Sequence, residues 1–196
     1  MHGIDIGRRL SIEEIDYLAR SNFGFVARYV DGGGTANPKC LTSDEVAALL
    51  SRRLGIIPVF EIGGNVFTGT QGLSDGRGAR RDLLALGYPL GLPIPFAVDV
   101  DVVGDPGNQL VDYFNGVFEG LDGAYTAGVY GEYDVCKFAR ENFPALGYFW
   151  QTYAWSAGRI YAPADCFQHA NGVDLMGGQL RVDLNSAATP PRWRIA

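Results

Sequence analysis

The chain has 196 residues, 47% of them hydrophobic and 19% charged. A charged share below the globular average of about 25% lets the chain bury a large core, and the length fits one domain over residues 1–196. Lys and Arg number 16 against 22 Asp and Glu, a net charge of -6 with no basic run, which excludes nucleic-acid binding through phosphate neutralisation; no apolar run is long enough to span a bilayer.

Gly3 to Ile6 reads as a first short strand. Ser11 and Glu14 form a capping box in which each side chain satisfies the other's backbone N–H. It opens a helix from Ile12 to Arg20, with Ile12, Ile15 and Leu18 on one face. Phe23 to Val30 is a second strand. Thr42 to Glu45 has the same capping-box pattern and opens a helix over Asp44 to Leu54, stopped by Gly55. Ile56 to Ile62 is a third strand, apolar enough to be covered on both faces. Gly72 to Leu86 is helical in pattern but weakened by Gly76 and Gly78. Pro93 to Val100 is the fourth strand, Asn108 to Leu121 a helix, Ala124 to Tyr130 the fifth strand and Glu132 to Asn142 a helix. Tyr148 to Thr152, Asp165 to His169 and Leu180 to Leu184 supply strands six to eight.

Strands alternating with helices predict a parallel α/β protein, and eight strands are the number that closes a barrel. The predicted fold is a compact TIM-like (β/α) barrel. Its late helices are short or missing, because the stretches after Thr152 and after His169 are too short to hold them. The rival is an open doubly wound sheet, but no G-x-G-x-x-G follows the first strand. Gly32-Gly33-Gly34 is not followed directly by a helix and reads as a flexible loop.

Cys40, Cys136 and Cys166 are odd in number and far apart, without C-x-x-C, which argues against a zinc site and a disulfide framework. With only His2 and His169 in the chain, acid–base chemistry falls to carboxylates. Barrel enzymes work at the C-terminal strand ends. There the sequence places Asp5, Arg28 and Tyr29, Phe60 and Glu61, Asp99 and Asp101, Tyr130, Trp150 and Gln151, Gln168, then Asp183 and Asn185. Asp99 and Asp101 are the sharpest pair. Residues i and i+2 of a strand share a face, so both are expected to point into the mouth. Two close carboxyls cannot both ionise easily, which yields one proton donor and one anion, as glycosidic cleavage needs. Tyr29, Tyr130, Trp150, Tyr153 and Trp155 suit stacking on sugar faces.

The order Gly3-Ile4-Asp5, Arg28-Tyr29, Lys39 then Leu41-Thr42 and Glu45, Pro58-Val59-Phe60-Glu61, Phe96 to Asp101, Gly128 to Gly131 and Trp150-Gln151 resembles a family. It is the glycoside-hydrolase-like domain of unknown function found in actinobacterial secreted proteins and in phage lysins and tail proteins. That family is similar to glycoside hydrolase family 25, the muramidase-type lysozymes. Asp5, Asp99, Trp150-Gln151, Gln168 and Val182-Asp183-Leu184-Asn185 fit the lysozyme pattern. The resemblance implies a β/α barrel that cleaves peptidoglycan glycan without a metal or cofactor. Catalytic roles are then expected at Asp101 or Glu61 as the acid, at Asp99 as the negative charge under the oxocarbenium-like centre or as the group that steers the substrate's acetamido nucleophile, and at Asp5 and Asp183 as orienting groups. Sugar contacts are expected at Arg28, Tyr29, Phe60, Tyr130, Trp150, Gln151 and Gln168. Asp101 stands where the muramidases carry the Glu that acts as general acid. Its carboxyl sits about 1.5 Å further back, one C–C bond, and misplacement of that order costs about a hundredfold in rate. Three outcomes are open: Asp101 donates, Glu61 donates, or the barrel binds glycan without cutting it. A carboxylate-only Mg²⁺ or Ca²⁺ site at Asp99, Asp101 and Glu61 is a further reading. The N-terminal residues show no signal peptide. Action at the cell wall or outside the cell is expected, either from a phage product or virion component or from part of a secreted protein.

Overall fold

The computed structural model describes residues 1–34, 36–63, 65–102, 107–189 and 193. The elements are β1 (His2–Asp5), α1 (Ile12–Arg20), β2 (Phe25–Val30), α2 (Ser43–Ser51), β3 (Gly55–Phe60), α3 (Gly69–Ala85), β4 (Pro93–Ala97), α4 (Gly107–Leu121), β5 (Thr126–Gly131), α5 (Tyr133–Asn142), β6 (Phe149–Thr152), β7 (Cys166–Leu175) and β8 (Leu180–Ala187). The strands close a barrel in the order β1-β2-β3-β4-β5-β6-β7-β8.

Local signals set most of these elements. The Ser11–Glu14 capping box forms as its sequence predicts. Thr42 caps α2 through the Glu45 N–H, but Glu45 does not reach back. Its carboxylate instead takes the Arg28 guanidinium at 2.8 and 3.2 Å. The stop of α2 also differs: Arg53 takes the left-handed turn at φ 59, and Gly55 is already in β3.

The predicted weakness of the third helix is a packing device. Gly72 and Gly76 of α3 lie against α4, and Gly116 and Gly120 of α4 lie against α3. A Cβ at Gly72 would run into the Tyr113 carbonyl oxygen, and one at Gly116 into that of Gly69. Two backbones in such close contact leave no room for side chains, so the helical penalty of glycine is accepted there.

Two expectations about the sheet change. β1 to β7 are parallel, but β8 runs antiparallel to both β7 and β1. A hairpin needs no crossover helix, which is why none separates β7 from β8; β6 and β7 are parallel and are joined across residues 153–165 without a helix. The fourth strand ends at Ala97, so Asp99 and Asp101 lie on the loop beyond it and share no strand face.

The core has two parts. Phe25, Ala27, Ile57, Val59, Ala97, Tyr148, Trp150, Cys166 and Ala187 fill the barrel. A larger cluster, including Val30, Leu49, Phe60, Phe96 and Phe114, packs between barrel and helices. All three cysteines are free and buried.

Candidate active site

Alternation along each strand decides which polar residues reach the interior. Phe25 and Ala27 fill the barrel, so Tyr29 follows them inward. Ile57 and Val59 do the same, and Glu61 continues their side just past β3. Trp150 leads in the same way to Thr152, whereas Asp99 lies on the loop two residues past Ala97, beyond the reach of strand alternation. Above the apolar filling lies a polar layer built from Asp5, Tyr29, Glu61, Tyr130, Gln168, Asp183 and Asn185.

Asp5 is the centre of that layer. It is 2% exposed. Asn185 Nδ2 donates to its Oδ2 at 2.7 Å and Gln168 Nε2 at 2.9 Å, while the Tyr29 hydroxyl approaches Oδ1 at 3.4 Å. Burial is the main force on its carboxyl. The Asn185 and Gln168 bonds oppose it, and Asp183 adds to it, leaving the pKa at about 6. Asp183 faces Asp5 across the β1–β8 pairing because β8 is antiparallel. It accepts from the Gly172 N–H at 2.7 Å and from Gln168 Nε2 at 3.4 Å. Gln168 also accepts from the hydroxyls of Tyr130 at 3.0 Å and Thr152 at 2.7 Å. Its amide orientation is therefore fixed by four partners, with oxygen to the hydroxyls and nitrogen to the carboxylates. Trp150 lies beneath, donating its indole N–H to Asn185 Oδ1 at 2.9 Å and meeting the Tyr130 ring edge-on at 4.8 Å. Burial pushes the Tyr29 and Tyr130 hydroxyls well above their usual range, so both stay protonated donors.

On the other side of the mouth, Lys39 Nζ pairs with Glu61 at 2.5 Å and sits 4.0 Å above the Tyr29 ring. Asp99 is exposed to solvent on one side. Partial burial raises its carboxyl pKa, the Glu61 charge raises it further, and Lys39 offsets part of that rise.

Four predicted residues lie elsewhere. Arg28 is fully buried, in an ion pair with Glu45, and donates to the carbonyls of Ile6 and Lys39 at 2.6 and 3.0 Å. No sugar reaches it, and its work is to hold the segment that carries Lys39. Phe60 has the outward parity and packs on Phe96 at 5.3 Å, under the helices. Gln151, also outward and fully buried, spends its amide on Ser156 Oγ, the Arg159 carbonyl and the Tyr161 N–H. Asp101 is exposed on the loop, where its charge acts on Glu132.

Lys39 and Thr152 were not among the predicted site residues. Lys39 lies outside any strand, so no strand-end rule reaches it; Thr152 was findable as the inward neighbour of Trp150. Among the described residues no group of three His, Cys, Asp or Glu side chains is placed to hold a metal ion.

Comparisons with known proteins agree with the barrel fold. FadG, an uncharacterised protein of Bacillus subtilis, is 27% identical over 151 residues, covering 72% of this chain and 26% of FadG. The chain thus spans about a quarter or less of the curated relatives it matches. The Tat-secreted protein Rv2525c of Mycobacterium tuberculosis, solved with L-tartrate, superposes with a TM-score of 0.80 at 22% identity, over 96% of each chain. The modular autolysin LytC of Streptococcus pneumoniae, solved with a synthetic peptidoglycan ligand, superposes with a TM-score of 0.63 at 15% identity, over 94% of this chain and 46% of LytC. A family 25 glycosyl hydrolase and a bacterial lysozyme share the barrel at 13% identity. At such identities these structures establish the fold alone. Residues 16–187 match the Rv2525c-like, glycoside hydrolase-like domain, and the chain belongs to that family.

Proposed function

We propose that this domain is a lysozyme-like glycosidase acting on the glycan strand of bacterial peptidoglycan. The observation that carries the reading is two carboxyls at the mouth in unlike surroundings: Asp99, whose pKa is raised by partial burial and by the Glu61 charge, and Glu61, held in an ion pair with Lys39. Asp99 gives its proton to the glycosidic oxygen as the C1–O bond breaks. Glu61 supplies negative charge to the oxocarbenium-like centre. Water then adds at C1 and its proton returns to Asp99. Asp5, too deep to touch a sugar, orients Tyr29, Gln168 and Asn185, and Asp183 completes that network. Tyr29 and Tyr130 offer hydroxyls to the sugar, with Trp150 and Gln168 supporting them. This gives the proton to Asp99 rather than to Asp101 or Glu61 and so exchanges the expected roles of Asp99 and Glu61, because Glu61 is ion-paired with Lys39 and Asp101 is exposed on the loop, where its charge acts on Glu132. The LytC complex with a peptidoglycan ligand supports the substrate class. The secretion of Rv2525c supports action outside the cell, and among the described residues no helix is long and apolar enough to cross a membrane.

The second reading is a glycan-binding module without catalysis, favoured by the Lys39–Glu61 pair, which occupies one of the two carboxylates. Release of reducing ends from purified peptidoglycan separates the two. Asp99→Asn and Glu61→Gln should abolish release, whereas Asp101→Asn should keep most of it, each variant being checked for folding. Tight binding of wall glycan with no release by the wild type, on walls of several bacteria, would leave only the binding module.

A further inference from the structure

The stretch between β6 and β7 leaves the mouth directly after Thr152 and replaces a crossover helix. It displays two large aromatic side chains, Tyr153 and Trp155, each 43% exposed. Exposed aromatics are ordinary singly, but this pair is built differently from a loose loop. Trp155 has φ 55 and Ala157 φ 50, both in the left-handed region, followed by Gly158 at φ 75. A residue with a side chain enters that region only where its surroundings impose it, and such strain collects at functional sites.

The surroundings that impose it are visible. Ser156, the neighbour of Trp155, is fully buried. Its Oγ donates to the Thr152 carbonyl at 2.6 Å and accepts from the Tyr133 N–H and from Gln151 Nε2, both at 3.0 Å. Gln151 Nε2 donates also to the Arg159 carbonyl at 2.8 Å, and Gln151 Oε1 accepts from the Tyr161 N–H at 2.7 Å. Arg159 is fixed by a two-point ion pair with Asp134 and lies 4.4 Å over the Tyr133 ring. At the start of the loop, the Tyr153 N–H donates to the Gln168 carbonyl at 2.9 Å. A buried amide, a buried hydroxyl and an ion pair thus hold a strained backbone so that an indole faces solvent at the rim of the mouth.

We infer that Tyr153 and Trp155 form a rigid stacking platform for a sugar ring of an extended N-acetylated glycan, one or more units beyond the cleaved bond, and that Gln151 is its positioning residue. The inference rests on the glycan reading of the mouth. A flat apolar sugar face and an aromatic ring bury each other without a directional bond. A platform already fixed loses little entropy on binding, which is the advantage of pre-organisation.

Fluorescence tests this cleanly. Of the three tryptophans, Trp150 and Trp193 are 1% and 5% exposed, so solvent-sensitive emission belongs to Trp155. Titration with a hexamer of N-acetylglucosamine, and with peptide-free glycan strands, should shift and protect the emission of the wild type. Trp155→Ala should lose the signal and bind the hexamer about tenfold more weakly by calorimetry. Trp155→Phe should keep most of the affinity. Gln151→Ala, folded by near-ultraviolet dichroism, should weaken binding while raising the accessibility of Trp155 to acrylamide. With hydrolysis as the readout, Trp155→Ala should raise KM and spare kcat.

Equal affinity of wild type and Trp155→Ala for both glycans would overturn the platform, as would a wild type whose emission responds to neither. If reducing ends are still released in that case, the glycosidase stands and only the platform falls. A Trp155 response without release of reducing ends keeps the platform and removes the hydrolase.

Discussion

Asp5→Asn should stabilise the protein at neutral pH and impair its site. Asp5 is buried, and its folded-state pKa of about 6 stands above the ordinary 3.8. Between those values the folded chain binds more protons than the unfolded one, so this group makes stability fall as the pH rises through that window. A rise of about two pH units corresponds to about 3 kcal/mol, fully expressed above pH 7 and absent below pH 4. Asparagine removes the ionisation. Its Oδ1 can still accept from Asn185 and Gln168, and its amide can face the Tyr29 hydroxyl, which then accepts. The variant should therefore gain up to about 3 kcal/mol at pH 7 to 8, and little at pH 4. For a chain of this size that is roughly 6–12 °C in Tm. Urea unfolding of both proteins from pH 4 to pH 8 measures the difference directly. Activity on peptidoglycan should drop in the same variant, because the charged acceptor that orients Gln168 and Tyr29 is gone. Parallel stability curves for the two proteins across that range, or a variant less stable at pH 7, would refute the assignment of Asp5 as a strained buried acid.

Arg28→Met should destabilise the fold by about 3–5 kcal/mol, since it leaves the Glu45 carboxylate buried without its partner; a loss under 1 kcal/mol in urea would contradict the buried pair. Gly116→Ala should cost about 1–3 kcal/mol or more by forcing α4 off the Gly69 carbonyl, and an unchanged Tm would show that the helices have slack. Lys39→Met and Glu61→Gln should move the Asp99 pKa in opposite directions, upward when the lysine is lost and downward when the glutamate is lost. Carboxyl-carbon NMR titration reads both shifts, and movement in the same direction would contradict the opposite influence of Lys39 and Glu61 on Asp99.

The elements were legible because their signals are local. A capping box at Ser11, a 3.6-residue period and β-rich apolar runs act within a few residues, and eight such runs made a closed barrel the natural prediction. Asp5, Tyr29, Glu61, Tyr130, Gln168 and Asp183, expected at strand ends, lie at that end of the barrel. The failures came where one local pattern serves two tertiary purposes. Glu45 has the spacing of a capping box, yet a buried guanidinium across the fold is a stronger partner than a backbone N–H, and it took the side chain. Helical glycines look like weakness until a second helix lies against them. Strands covered on both faces are apolar at every position, so the parity that sends Phe60 and Gln151 outward and Glu61 and Trp150 inward cannot be seen in composition; only closure of the barrel defines an inside. By itself the sequence determined the alternation of strands and helices and the family. The tertiary structure decided the antiparallel last strand, the end of β4 before Asp99 and Asp101, and the place of Lys39, because each depends on what the chain meets after long separations in sequence.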